Sequence, residues 1–225
     1  MGKLTIVVVL FALAAPGCAA HRVKINAYLS RELSFPEPRS DASVSIVVGS
    51  EPHEPLLEAE VARKIEYLLR RGGYDVVEQD ESQYVLTGWL SIDRGTTETE
   101  MYPVYDGGGF ATASVYSHHG WIGVTTHVPG RTSYVPYTYT YFTRQLNLTL
   151  YQRSRWESAE DDELGRGAIW RCSANSTGKS TDLRSVANYL LAAAFEYFGQ
   201  DSGKEMRVRF ARGDERIRTI HAAGR

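Results

Sequence analysis

Residues 54–93, EPLLEAEVARKIEYLLRRGGYDVVEQDESQYVLTGWLSID, decide the fold, because a helical repeat passes here into two strand-like runs. Leu57, Val61, Ile65 and Leu68 recur at spacings of four, four and three, which puts them on one helical face. Pro55 suits the first turn, Glu54, Glu58 and Glu60 sit near the positive end of the dipole, and Arg70 and Arg71 near the negative end. The i,i+4 pairs Glu60/Lys64 and Glu66/Arg70 read as a solvated helix face rather than a binding surface. Gly72 and Gly73 stop the helix, Tyr74–Glu78 makes a short strand, and Ser82–Asp93 a longer one. With the β-branched run Ser43–Gly49 upstream, this order predicts an α+β layer with the helix on one face of a sheet.

The end of the chain repeats the theme. Leu183, Val186, Leu190, Ala194 and Phe198 keep helical spacing, with Ser180 or Thr181 as cap and Gly199 as stop. In MRVRF, Met206, Val208 and Phe210 alternate with arginines, as in an edge strand with one buried face. AIWRCSANS places Trp170 and Cys172 on one strand face, where Cys172 reads as a small buried hydrophobe rather than a reactive thiol. The stretches PLLEAEVARKIEYLLRRGGYDVVEQDESQYVL and STDLRSVANYLLAAAFEYFGQDSGKEMRVRF resemble the helix, Gly-Tyr turn, strand pair and closing helix of bacterial envelope lipoprotein families known only as domains of unknown function. That resemblance covers about a quarter of the chain, implies a lipoprotein domain, and transfers no catalytic residue.

The N-terminus fits such an address. Lys3 precedes the uncharged run Leu4–Ala15, too short to span a bilayer comfortably and suited to a signal-peptide core. Ala15, Pro16, Gly17 and Cys18 resemble the lipobox of bacterial lipoproteins, with Ala15 standing where that box usually carries Leu. The resemblance implies acylation of Cys18, palmitate-type chains included, and an outer-membrane anchor facing the periplasm. An ordinary cleaved export signal and a retained anchor are the alternatives. The expected organisation is a signal peptide over 1–17, a lipidated cysteine and tether over 18–42, one domain over 43–212, and a tail over 213–225.

The middle of the chain, 95–145, is the distinctive insertion. In YVPYTYTYFTRQLNLTLYQ, Tyr137, Tyr139 and Tyr141 share one strand face, and Leu146, Leu148 and Leu150 form an apolar face that reaches the core. The tyrosines pack as a cross-strand ladder in an extended hairpin, or serve a protein or glycan partner; Tyr134, Tyr137, Tyr139 and Tyr141 are the partner-binding candidates. Adjacent His118 and His119 point to opposite strand faces and do not make a metal site with His127. NSTGKST lacks the first glycine of a phosphate loop, and Glu157–Glu163 lacks the pattern of a calcium loop. A formal net charge of −2 gives no reason to expect nucleic acid.

The expectation is therefore an α+β fold with a mostly antiparallel sheet, two principal helices on one face and a Tyr-rich extended hairpin insertion. The function expected is non-enzymatic binding or assembly in the cell envelope, without cofactor or metal. A structural subunit of a self-associating complex is the alternative, and a hydrolase with dispersed catalytic residues a third class.

Overall fold

A computed structural model of the protein describes residues 21–38, 42–117, 120–158 and 167–225. The strands are β1 (His21–Leu29), β2 (Ser43–Glu51), β3 (Asp75–Val76), β4 (Tyr84–Ile92), β5 (Thr96–Asp106), β6 (Gly109–Ser117), β7 (Gly120–Val128), β8 (Arg131–Gln152), β9 (Ala168–Gly178) and β10 (Met206–Phe210). The α-helices are α1 (Pro55–Arg71), α2 (Arg153–Ser158), α3 (Leu183–Glu196) and α4 (Glu215–Ala223). The chain divides into two units, Arg94–Phe142 and the remainder.

The larger unit is α+β with a mostly antiparallel sheet, in the order β10-β1-β9-β8-β4-β2-β3. β2 pairs parallel with both β3 and β4, and α1 makes the crossover from β2 to β3. Pro55 opens α1, and Leu57, Val61, Ile65 and Leu69 are its buried apolar positions; Leu68, one residue earlier, is only partly buried. A Cβ at Gly88 would meet Ile65 and Leu148 at 3.4 Å, ordinary van der Waals contact, so α1 packs directly over this point of β4 and β8. Leu146, Leu148 and Leu150 of β8 are fully buried in the same core as Val23, Ile25, Trp170 and Cys172. At the start of α3 the cap is Asp182, whose carboxylate accepts from the Ser185 amide at 3.0 Å, rather than Ser180 or Thr181. β10 lies at the sheet edge with Arg207 and Arg209 outward, as the alternation of MRVRF predicts.

Three sequence expectations change. The stretch read as a tether, 18–42, contributes β1 to the sheet interior, between β10 and β9. Its Val23, Ile25 and Ala27 face the core, while the alternating Arg22 and Lys24 give the run a polar look in sequence. The stretch read as a tail, 213–225, forms α4, capped by Asp214 and packed on α1 and α3 through the buried Ile220. The Glu60/Lys64 pair, read as solvated, is buried for the same reason. The end of α4 covers it, Arg63 donates to the Gly224 carbonyl at 2.9 Å, and any side chain at Gly224 would collide with the Lys64 stem.

Candidate functional site

The Arg94–Phe142 unit is a two-stranded ribbon. β5 pairs antiparallel with the first half of β8, from Thr96↔Tyr141 to Asp106↔Arg131. β6 and β7 pair from Gly109↔Val128 to Ser117↔Gly120. Gly107–Gly108 on one side and Pro129–Gly130 on the other separate the two ladders, two residues each, so the register passes through without gain or loss. Gly108 has to be glycine, because a side chain there would strike the Val128 carbonyl and the Gly130 amide. Gly95, at φ 82°, opens the ribbon in a conformation that L side chains rarely adopt.

Register fixes which residues share a face. Tyr137, Tyr139 and Tyr141 lie together, with ring centroids 4.6 and 6.2 Å apart along the strand. Tyr102 joins them from β5, accepting a hydrogen bond from the Tyr139 hydroxyl at 2.7 Å and donating to Glu100 at 3.0 Å. Tyr134 pairs with Pro103 on the opposite face, so the four candidate tyrosines do not form one surface. Its face carries a threonine ladder instead, with Thr97 and Thr140 hydroxyls 3.3 Å apart and Thr99 and Thr138 3.1 Å apart.

Both faces of this ribbon present large apolar groups. Tyr134 and Tyr105 are 63% and 71% exposed on one, Tyr137 and Phe110 56% and 77% on the other. Among the described residues, β5, β6 and β7 each have a single partner strand, which leaves their outer edges unpaired. A two-stranded ribbon in water is marginally stable without something packed on it. Charge is scarce as well: of 49 residues only Arg94, Glu98, Glu100, Asp106 and Arg131 carry it.

In the larger unit a polar cleft of about 650 Å³ gathers His21, Arg144, Ser176, Lys179 and Tyr189. Arg144 is buried, and its guanidinium donates to the Ser176 carbonyl at 3.1 Å, the Ser180 carbonyl at 2.8 Å and the Ser176 hydroxyl at 3.4 Å. His21 Nε2 lies 2.8 Å from Ser176 Oγ, and its ring stacks on Tyr189 at 4.3 Å. Burial, then the Arg144 charge, hold the His21 imidazole below its ordinary pKa, and the tautomer of the neutral ring sets whether Nε2 donates to or accepts from the serine hydroxyl. The pair has the outline of an activated serine, but Ser176 is 3% exposed and its hydroxyl is engaged by the arginine. This arrangement satisfies a buried guanidinium, and sequence reading missed it because the three residues are far apart in the chain. An apolar cleft of about 500 Å³ lies between α1, α3 and α4, lined by Leu68, Tyr74, Phe195, Phe198 and Ile220.

Cys172 is fully buried, and burial pushes its thiol up to about 12. Cys18, His118, His119 and the run 159–163 lie outside the described residues. His127 lies opposite Phe110 across the ribbon, ring centroids 5.5 Å apart. Among the described residues no group of three His, Cys, Asp or Glu side chains is placed to hold a metal ion.

No family model and no curated protein matches the sequence. Among solved structures, the PelC dodecamer from Paraburkholderia phytofirmans is similar at TM-score 0.37 and 13% identity, over 79% of this chain and 98% of that one. A point variant of the same dodecamer gives TM-score 0.38 and 12% identity over 76% and 93%. A PDZ domain protein from Parabacteroides distasonis gives TM-score 0.41 and 12% identity over 83% of this chain, which spans 39% of that protein's length. Scores of this size mark a distant likeness only.

Proposed function

We propose that this protein is a lipid-anchored envelope lipoprotein, held through Cys18 at the outer membrane and facing the periplasm, with a non-enzymatic role in binding or assembly. Its contact surface is the Arg94–Phe142 ribbon, read as a Tyr-rich extended hairpin with Tyr137, Tyr139 and Tyr141 as the first anchors. One observation carries this reading: a two-stranded unit, poor in charge, exposes aromatic and β-branched side chains on both faces. Such a surface is costly in water and becomes favourable when covered. Tyrosine rings supply rigid amphipathic area at little entropic cost. Self-association is the second reading, favoured by the unpaired outer edges, which are templates for further strands.

Two measurements test this. The intact mass of the mature protein from host membranes, beside a Cys18→Ala variant, is expected to give a chain starting at Cys18 with acyl mass that the variant lacks. An unmodified chain starting elsewhere removes the anchor. Replacing Tyr137, Tyr139 and Tyr141 by Ser is expected to abolish association while leaving the larger unit folded. Loss of a co-purifying protein indicates a separate partner, and dissolution of an oligomer indicates self-association. Retained association would sink the contact-surface reading.

A further inference from the structure

The ribbon's composition is not uniform across its two faces. Glu98, Glu100, Asp106 and Arg131, four of its five charges, all fall on the face of Tyr137. Along β6 and β7 that face continues with Phe110 opposite His127, Thr112 opposite Thr125, Ser114 opposite Gly123 and Tyr116 opposite Trp121, with the two threonine hydroxyls 3.2 Å apart. The other face is uncharged along both ladders. It runs from Met101 and Tyr105 through Ala111 and Ala113, and returns along Val124 and Val128. Across β6 and β7 there is no Asp, Glu, Lys, Arg or Pro in 18 residues.

A ribbon made to sit in water guards its edges with charge or proline and keeps apolar groups to one covered face. Here the β6–β7 part has neither guard; one side carries Ala111, Ala113, Val124 and Val128 with Thr126, and the other holds Thr112, Ser114 and Thr125 between Phe110 and Trp121 at its two ends. That is the pattern of a strand with hydrocarbon on one side and water on the other. The length agrees. Nine residues per strand, at about 3.4 Å each, give about 30 Å, and a tilted transmembrane strand takes about 9–11 residues. Tyr105 and Tyr134 stand at the root of the apolar face, where a barrel carries interfacial aromatics. No described helix is long and apolar enough to cross a membrane, and strands need none.

We propose that β6 and β7, with the adjoining ends of β5 and β8, form a membrane-inserting hairpin, and that copies of this chain pair edge to edge to close a transmembrane barrel. The occupant of the apolar face is the bilayer hydrocarbon. Copies are required because a lone hairpin leaves its outer N–H and C=O groups unpaired where there is no water to satisfy them, and only a closed ring removes both edges. Thr112, Ser114 and Thr125 then line the middle of an aqueous lumen, with Phe110, His127 and Trp121 toward its two ends, and the assembly is a channel. This inference rests on the self-association reading above and adds the bilayer to it.

The test uses the full chain with its anchor, reconstituted into phosphatidylethanolamine–phosphatidylglycerol vesicles. Single cysteines are introduced as Ala111→Cys, Ala113→Cys and Val124→Cys on one face and Thr112→Cys, Ser114→Cys and Thr125→Cys on the other, all with Cys172→Ala. Each carries an environment-sensitive fluorophore, and labelling of the chain without them sets the background. The first three are expected to be quenched severalfold more by nitroxide lipid than by aqueous iodide, and the second three the reverse. Similar iodide quenching at all six positions overturns the proposal. A planar-bilayer recording of the unsubstituted chain guards against variants that misfold: stepwise conductance supports the channel, and its absence from a chain shown to be oligomeric overturns it. If the Tyr→Ser variant dissolves the oligomer while the six probes show no alternation, assembly stands and insertion falls. If the unsubstituted chain is monomeric in the vesicles, both fall.

Discussion

Glu60→Gln is the substitution whose cost the structure states most directly. Glu60 accepts from Lys64 Nζ at 2.5 Å and from Arg184 Nε at 2.6 Å. Lys64 has no exposed side-chain surface, Glu60 keeps 7% and Arg184 71%. Breaking a buried pair by removing one charge typically costs about 3–5 kcal/mol, because the remaining charge is stranded. A glutamine still offers Nζ a carbonyl oxygen, and the exposed Arg184 recovers water, so the lower end, about 3 kcal/mol, is expected. Lys64→Met behaves differently. It keeps an apolar stem under α4, and Glu60 retains Arg184, so its cost should be about 1 kcal/mol. Urea unfolding at neutral pH reads both; with m about 2–3 kcal/mol/M, Glu60→Gln lowers the midpoint by roughly 1–1.5 M. The pH dependence has a defined sign. Burial pushes the Glu60 carboxyl up, but hydrogen bonds and charge from Lys64 and Arg184 outweigh it and hold it below its ordinary value. Its contribution is therefore full at neutral pH and lost as pH falls through the acidic range, and the glutamine variant lacks that part of the slope. Equal costs for the two substitutions, or a Glu60→Gln cost under about 1 kcal/mol, would refute the assignment of a stranded lysine.

Other expectations follow from the cleft and the core. Arg144→Leu removes three hydrogen bonds and leaves the Ser176 and Ser180 carbonyls without their arginine donor, at a cost of about 2–4 kcal/mol by thermal unfolding; Arg144→Lys should restore less than half, lacking the guanidinium fork. With its thiol pushed up to about 12, Cys172 should resist aromatic disulfide reagents at pH 8 in the folded protein and react once urea unfolds it; prompt native-state reaction would contradict its burial. The His21 imidazole is held below 6.5, so the unfolded chain takes up its proton first and stability should decline as pH falls through 6.5. His21→Gln is expected to flatten that decline, measured as the urea midpoint from about pH 8 to 5.

The helical repeats were legible because the apolar positions of α1 follow one 3.6-residue stripe, and those of α3 include such a stripe although Leu190–Ala194 are buried all round. The burial of Leu146, Leu148 and Leu150 was legible for the matching reason in a strand. β1 was hidden because its polar alternates and the Pro- and Ser-containing stretch after it look like linker, and only its sheet neighbours reveal that Val23, Ile25 and Ala27 are inward. α4 escaped notice because its arginines dominate a short segment; one of them, Arg216, covers the Phe210 ring at 4.7 Å. Burial of Glu60 and Lys64 depends on that helix, so misreading the tail also misread the pair. In the ribbon, period two fixed which tyrosines share a face. Which strand lies opposite is a pairing fact, and it is the pairing that puts Pro103 across from Tyr134 and the charges of β5 beside Tyr137 and Tyr139.

The ribbon's independence from the core can be tested by cutting it out. None of the buried core cluster, nor of the partly buried residues packed on it, comes from 94–142. The flanking residues are already joined: the Asp93 amide donates to the Thr143 carbonyl at 3.0 Å, and the Thr143 amide to the Asp93 carboxylate at 2.9 Å. Replacing 94–142 by Asn-Gly therefore closes β4 onto β8 with a two-residue turn in the existing register. Shortening a 49-residue connection to two residues removes closure entropy worth up to roughly 3 kcal/mol if the excised segment contributed no order of its own. The shortened protein should match the full chain in stability or exceed it by up to that amount, with a cooperative urea transition. It should also lose association and vesicle conductance together. A shortened chain that is molten or strongly destabilised would mean that the ribbon is part of the folding unit, and its exposed aromatic faces would then need a structural explanation within the protomer.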